Sequence, residues 1–445
     1  MQSRIEVGGR DPAARAAARA VQLALQAVIL LFPALSIAVK KGANASLMLA
    51  AALSLVLLAR HRWSRQSGDA GRFPELVRTY AFAMASPFLV LVAVQTLHGG
   101  SWAVGAINST ARFVLAVPVV LAVWRLGRAV IPWADSAFAV GAIASGAVML
   151  LLPREWPPGL GRWGSAFLDP INFGGLALLL GVLSLLSVDW YRRDPTPMRV
   201  LKLAGFACAF VASVPTGARG PWLALMVLIP VLALTTLRRQ TVGLRMAVWT
   251  SVAALLFAAF VSVDAFRGRF DLMALDLGSF FSGGDRDTSP GIRLQIWHAA
   301  LMAFAEQPLL GLGGGGFARA VDAYVGLGVL SPLAAEAARA EMHNSYLAYA
   351  ADFGIPGLAA IVAVFAVPAA LFIRRLGADR VRARAALMGI SIVVMYAACA
   401  LTVDVFALKM MAAFYATATA VVAAIAFGDA PVTSVQSDRQ IGGRS

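Results

Sequence analysis

Histidine is scarce in this chain, with only His61, His98, His298 and His343 among 445 residues. His343 stands out by its setting, Met342-His-Asn-Ser-Tyr-Leu-Ala-Tyr-Ala-Ala-Asp-Phe-Gly-Ile-Pro-Gly357, where a long polar stretch gives way to an apolar one. A neutral imidazole with a pKa near ~6.5 can take a proton from a hydroxyl at neutral pH. On spacing alone, His343 reads equally well as an interfacial hydrogen-bonding residue or as a catalytic base. Two arginines bear on that choice. Arg219, in Thr216-Gly-Ala-Arg-Gly-Pro-Trp-Leu223, occupies a very short connection between apolar runs. Arg293, in Gly291-Ile-Arg-Leu-Gln-Ile-Trp297, opens a helical pattern. Guanidinium groups stay charged and hold phosphate oxygens bidentately. Each arginine alone reads as a headgroup anchor. Beside a base, the pair suits displacement of a diphosphate: the base activates a nucleophile, and the arginines stabilise charge on a leaving group that needs no separate acid. His61, in a basic cluster, and His98, at the end of an apolar run, read as structural or surface residues.

The elements that must position these residues are membrane helices. The chain is 60% hydrophobic and only 14% charged, with a mean hydropathy of +0.75, whereas a soluble domain carries roughly a quarter charged residues. Runs such as Ala20–Val39 and Ala247–Val263 approach the ~20 residues that a helix needs to cross ~30 Å of hydrocarbon. Helices satisfy their own backbone in lipid, and these runs are too continuous for barrel strands. The expected fold is an all-α polytopic integral membrane protein of about twelve transmembrane helices. Residues 1–19 are expected to form a cytoplasmic segment, since no signal-peptide cleavage site follows the first apolar run. Helices 1–9 fill 20–263, a periplasmic loop with short helices spans 264–342, a re-entry helix and helices 10–12 fill 343–427, and 428–445 is a cytoplasmic tail. The net charge of +15 is explained by the inside-positive rule. Clusters such as Arg60/Arg62/Arg65, Arg192/Arg193, Arg238/Arg239 and Arg374/Arg375/Arg380/Arg382/Arg384 read as topological anchors, so no nucleic-acid partner is implied. Cys208 and Cys399 fall inside spans as packing residues, with no disulfide or zinc site.

Loops as long as 264–342 inside a compact protein are usually functional. Gly268–Pro290 reads as irregular. Ile292–Glu306 has an apolar stripe at helical spacing, through Ile292, Ile296, Ala299/Ala300 and Ala303. A turn follows at Gly311–Gly316, and Ser331–Met342 reads as a helix with Ser331 as N-cap and Pro332 in first position. The loop is expected to fold over the membrane face as a lid or cavity wall. Beyond it, Asn344 or Ser345 caps a short helix that Gly354-Ile-Pro-Gly357 breaks, and irregular backbone at membrane depth is tolerated where it lines a cavity.

Two motifs match patterns whose context is missing. Gly311-Leu-Gly-Gly-Gly-Gly316 is a literal G-x-G-x-x-G, but Pro308 and a helix precede it instead of a strand; it reads as a tight turn. Asp285-Arg-Asp287 resembles the metal-binding D-x-D of soluble glycosyltransferases, but no α/β domain surrounds it, and it reads as solvated loop.

The remaining residues resemble the O-antigen ligase and polymerase superfamily of bacterial envelope glycosyltransferases. His343-Asn344, nine residues and Gly354-x-x-Gly357 follow the ligase signature. Arg219-Gly-Pro-Trp-Leu223 fits the family's Arg-x-x-x-Leu element. Arg293-x-x-x-Trp297-x-x-Ala300, followed by Pro308-Leu-Leu-Gly-x-Gly-x-x-Gly316-Phe, looks like its loop region. The likeness covers roughly residues 210–370. It implies transfer of a polysaccharide from an undecaprenyl-diphosphate-linked donor to a lipid A–core acceptor, at the periplasmic face of a Gram-negative inner membrane, with no metal or other cofactor. By the same likeness His343 activates the acceptor hydroxyl, Arg219 and Arg293 bind the diphosphate, Asn344 and Trp297 join the substrate site, and one displacement inverts the anomeric centre. Lys40 and Lys41, on the outer side against the charge trend, are expected to guide anionic lipid phosphates. Three other readings stay open. A polymerase of the same pathway often carries paired Arg-x10-Gly motifs, of which only Arg267…Gly278 fits here. A protein O-oligosaccharyltransferase usually carries a longer soluble C-terminal part. An anion transporter would show paired halves and midplane charges; Asp404 and Lys409 instead lie near an outer end.

Overall fold

The computed structural model describes residues 12–64, 74–99, 102, 104–127, 131–159, 161–189, 194–236, 241–243, 250, 275–276, 278–282 and 284–428. The expected span 247–263, the ends of the chain, Arg65, Arg192/Arg193, Arg238/Arg239 and Arg267 lie outside these residues, as do the side chains of Arg60, His61 and Arg62.

Among the described residues, eight α-helices precede the long loop: α1 (Pro12–Ala38), α2 (Gly42–Ser64), α3 (Glu75–His98), α4 (Val104–Leu126), α5 (Ile131–Leu151), α6 (Pro170–Ser187), α7 (Thr196–Ser213) and α8 (Arg219–Thr236). Three short helices follow, α9 (Ser289–Glu306), α10 (Gly316–Gly326) and α11 (Pro332–Ala340). Then come α12 (Ser345–Arg374), α13 (Arg380–Cys399) and α14 (Lys409–Ala426). Ten of these are long and apolar enough to cross a membrane, and the apolar part of α8 is shorter, at Arg219–Ala233. The protein is an all-α polytopic membrane protein. A small hairpin, β1 (Arg154–Glu155) against β2 (Trp163–Gly164), interrupts the connection from α5 to α6.

Helix α14 is the central post. Its sequence KMMAAFYATATAVVAAIA is rich in alanine, and small residues let helix backbones approach closely where lipid supplies no hydrophobic drive between helices. It packs chiefly on α4, α13 and α2. Polar groups within it are satisfied locally: Tyr415 donates to Val364 O at 2.7 Å, and the Tyr80 and Thr419 hydroxyls pair at 2.8 Å. At the end of the bundle where α12 and α13 meet by their Arg374 and Arg380 termini, Arg384 pairs with Asp135 at 2.7 Å and Asp189 at 3.4 Å. Buried Lys202 pairs with Asp194 at 2.8 Å. Part of that arginine cluster thus ties α5, α13 and the connection after α6 together.

Helices α9–α11 have their own apolar core, built from Ile296, Ala299, Phe317, Val321, Ala335 and Ala338 with others. Their caps follow the sequence: Thr288 accepts from Gly291 N, Ser331 accepts from Ala334 N, and proline occupies the first turn of α9 and α11. Helix α10 was not expected, and the second expected helix ends at Ala340 instead of Met342.

The expected re-entry helix and the next span form one helix, α12, kinked at Gly354 (φ 64°, ψ −154°). Pro356 has no N–H to donate, so the kink frees backbone groups that need partners. The glycine turn supplies them: Ile355 N–H donates to Pro308 O at 2.8 Å, and Leu312 N–H donates to Ala351 O at 2.9 Å. Gly311, itself at φ 63°, sits so close that a Cβ would lie 2.5 Å from the carbonyl carbon of Asp352. The two glycine motifs are thus one joint, through which the lid docks on the kink.

Candidate active site

His343 sits at the junction between α11 and α12 with φ 54°, a region that side chains with a Cβ enter at a cost. The residues after it hold it there. Asn344 caps α12, accepting from Tyr346 N at 3.0 Å and Leu347 N at 3.1 Å, and donates through Nδ2 to Leu401 O at 3.2 Å. Ser345 N–H donates to Ala400 O at 2.9 Å. The Ser345 hydroxyl accepts from Val405 N at 3.0 Å and lies 3.1 Å from Asp404 Oδ1. The His343 turn is therefore clasped to the connection 400–408 between α13 and α14. Asn344 emerges as a cap and clasp, which serves the site by fixing its neighbour.

The connection 400–408 is itself pinned from below. The Phe406 ring is buried, 4.8 Å between centroids from Phe113 and 5.5 Å from both Phe365 and Tyr415. Ser109 of α4 donates to Phe406 O. From the other side, Gly220 packs so that a Cβ would lie 3.1 Å from Thr402 Oγ1. This contact places the start of α8, where half-buried Arg219 stands, against the same connection. Arg162, beside the hairpin, donates to Thr216 O at 3.3 Å and braces the turn before Arg219.

Charge converges at this junction. Glu341 Oε1 accepts Asp404 N–H at 2.7 Å and lies 3.6 Å from His343 Nδ1. Arg293, from the first turns of α9, feels the same carboxylate: burial disfavours its charged form and Glu341 opposes that. Burial, and then the charge of Glu341, push the Asp404 carboxyl up to about 6. One helical turn beyond Arg293, the buried indole N–H of Trp297 has no hydrogen-bond partner among the described residues. Sequence reasoning brought out His343, Arg293, Arg219, Trp297 and Asn344 but passed over Glu341. The available signal was an acidic residue two positions before the histidine.

Lys41 is placed differently. It is exposed in the turn between α1 and α2, at φ 66°, outside the carboxylate cluster. Three residues on, Asn44 accepts from buried Arg112 of α4 at 2.5 Å, one turn from Ser109. The other tempting motifs are structural. Asp285 and Asp287 accept from Asp287 N and the Ser331 hydroxyl, and no group of His, Cys, Asp or Glu among the described residues is arranged to hold a metal. The Gly311–Gly316 turn follows a helix and docks on Gly354. His98 Nε2 lies 3.3 Å from Leu310 O, another tie between the lid and the bundle.

Beside the connection, between α6 and α13, lies a small, partly open apolar pocket, lined by Leu176, Leu179, Tyr396, Cys399, Val403 and Val405 among others.

Residues 204–362 match the family model described as O-antigen ligase. Over that stretch the chain is similar to the O-antigen ligase family. The match runs from α7 into α12 and takes in Arg219, Arg293, Trp297, Glu341, His343 and the Gly354 kink; Lys41 and Asp404 lie outside it. An uncharacterized protein of Haemophilus influenzae is 23% identical over 212 residues, 46% of this chain and 52% of the relative. The chain thus spans about half the length of that curated relative.

Proposed function

We propose that this protein is a membrane glycosyltransferase that moves a glycan from undecaprenyl diphosphate to a lipid A–core sugar, at the periplasmic face of a Gram-negative inner membrane. The observation that carries the reading is the convergence of His343 and Arg293, more than forty residues apart in sequence, on one carboxylate, Glu341. The cluster rests on a connection that also seats the turn of Arg219. His343 takes the proton of the acceptor hydroxyl as its oxygen attacks the anomeric carbon. Arg219 and Arg293 bind the diphosphate and stabilise the charge it gains on leaving, through charge-assisted forks that lysine does not reproduce. Asn344 fixes the histidine turn, and Trp297 offers its indole N–H. The apolar pocket beside Val403 and Val405 suits the first isoprene units of a prenyl donor, whose diphosphate then lies at the charged junction. Lys41 receives anionic lipid phosphates at the rim. A single displacement inverts the anomeric centre.

In a reconstituted transfer assay, His343→Ala is expected to abolish product while donor binding stays close to wild type; full activity in this variant overturns the reading. Deleting the gene and resolving lipopolysaccharide on a gel separates ligation from polymerisation. Loss of a ligase leaves polymer unattached to core, whereas loss of a polymerase leaves core bearing at most one repeat.

A further inference from the structure

We infer that Glu341 is the positioning residue of His343: its carboxylate holds the Nδ1 edge of the imidazole and leaves Nε2 as the atom that takes the acceptor's proton. The inference rests on the proposed role of His343 and adds a residue to it. The anchoring is what makes Glu341 more than a neighbour. Its Oε1 accepts the Asp404 N–H at 2.7 Å, so the carboxylate is tied to a connection that Phe406 and Ser345 already immobilise. From that fixed point Oε1 lies 3.6 Å from Nδ1, an ion-pair separation slightly beyond a hydrogen bond, of the kind that shortens when a substrate complex forms.

The groups facing Glu341 come from every side of the junction: His343 on its own segment, Arg293 on α9, and the amide and carboxyl of Asp404 on the connection. The Glu341 carboxylate favours the imidazolium that forms during transfer, since opposite charges stabilise each other across a partly buried junction. The step balances. The acceptor oxygen bonds to the anomeric carbon, the bond from that carbon to the diphosphate oxygen breaks with its electron pair, and the hydroxyl proton passes to Nε2. Positive charge on the ring then lies between Nδ1–H and Glu341. The pattern fixes which nitrogen is the base, as an orienting carboxylate does for other histidine bases.

The test is a titration of the histidine itself. With only four histidines in the chain, ¹⁵N-histidine-labelled protein in nanodiscs gives a resolvable set, and His343 is assigned by its loss in His343→Ala. Above the titration midpoint, wild-type His343 is expected as the Nδ1–H tautomer; an Nε2–H tautomer overturns the inference without any variant at position 341. Glu341→Gln keeps an acceptor for Asp404 N–H but removes the charge. It is expected to lower the His343 midpoint by about half a unit or more, roughly threefold in proton affinity, and to move the acidic limb of the kcat profile the same way. Asp404→Asn in the same background controls for the neighbouring carboxyl and should leave that direction unchanged. An unmoved midpoint, or full turnover restored by glutamine, overturns the role of Glu341. If His343→Ala retains transfer, the functional reading itself falls; if it abolishes transfer and the midpoint does not move, only the present inference falls.

Discussion

Asp404 shows how one residue's setting becomes a measurable property of the protein. Its carboxyl accepts from Phe406 N at 3.4 Å and lies 3.1 Å from the Ser345 hydroxyl, yet burial and the nearby Glu341 outweigh these bonds and push it up to about 6. A carboxyl whose folded value exceeds its unfolded value of 3.8 binds protons more tightly when folded. It therefore contributes stability that is complete below about pH 4 and is lost as the pH rises through about 6. The expected contribution is on the order of 3 kcal/mol. Asp404→Asn keeps the acceptor oxygen and removes the titration. In detergent, the variant should match wild type in thermal stability near pH 4 and exceed it near pH 7.5, with the two profiles separating between. Parallel profiles across that range would show that Asp404 does not carry this charge penalty. The residue was visible in the sequence as an acidic group near the outer end of a span. Its partner Glu341 lies 63 positions away, and no local pattern links them.

At the scale of elements, the informative unit is the joint between Pro308–Gly316 and the kink of α12. The break at Gly354 was legible because glycine and Pro356 both oppose a continuous helix. The Gly311–Gly316 turn was legible for the same conformational reason, and Gly311, Gly313 and Gly315 all adopt positive φ. That each motif satisfies the other's backbone was not legible, since hydrogen bonds between segments leave no spacing to read. Asp352 adds to the joint by accepting from Gly315 N at 2.8 Å and Phe317 N at 2.9 Å, so α12 caps a helix of the lid. The lid is therefore a docked wall. Gly311→Ala places a methyl against the backbone of Asp352 at a position with φ 63°, and it should undock the lid while the bundle persists. Transfer is expected to fall at least tenfold and limited proteolysis to accelerate within 289–340. Gly105→Ala, where an added Cβ meets nothing within 4 Å, should change neither. Proteolysis at the wild-type rate in Gly311→Ala would mean that the joint does not hold the lid.

The whole molecule was the most legible level, because lipid forces each span to be long, apolar and helical, and the described helices meet those expectations nearly one for one. The hairpin between α5 and α6, helix α10 and the aromatic anchor around Phe406 were not foreseen, since they depend on contacts between distant segments. What the fold adds is polarity of arrangement. The lid, the hairpin, the turn before Arg219 and the 400–408 connection gather at one end, while Arg384, Asp135, Asp189 and the Lys202–Asp194 pair gather at the other. If the lid end faces the periplasm, as the proposed reaction requires, single cysteines at the two ends will label from opposite sides. Leu327 is 66% exposed on the lid, and a side chain at Gly377 meets nothing within 4 Å. With Cys208 and Cys399 replaced by serine, a membrane-impermeant maleimide applied to intact spheroplasts should label Leu327→Cys and spare Gly377→Cys until the membrane is opened. The reverse pattern would put His343 and its arginines on the face away from a periplasmic acceptor and overturn the proposed site of transfer, because the topology assigns all three residues to the same end as Leu327.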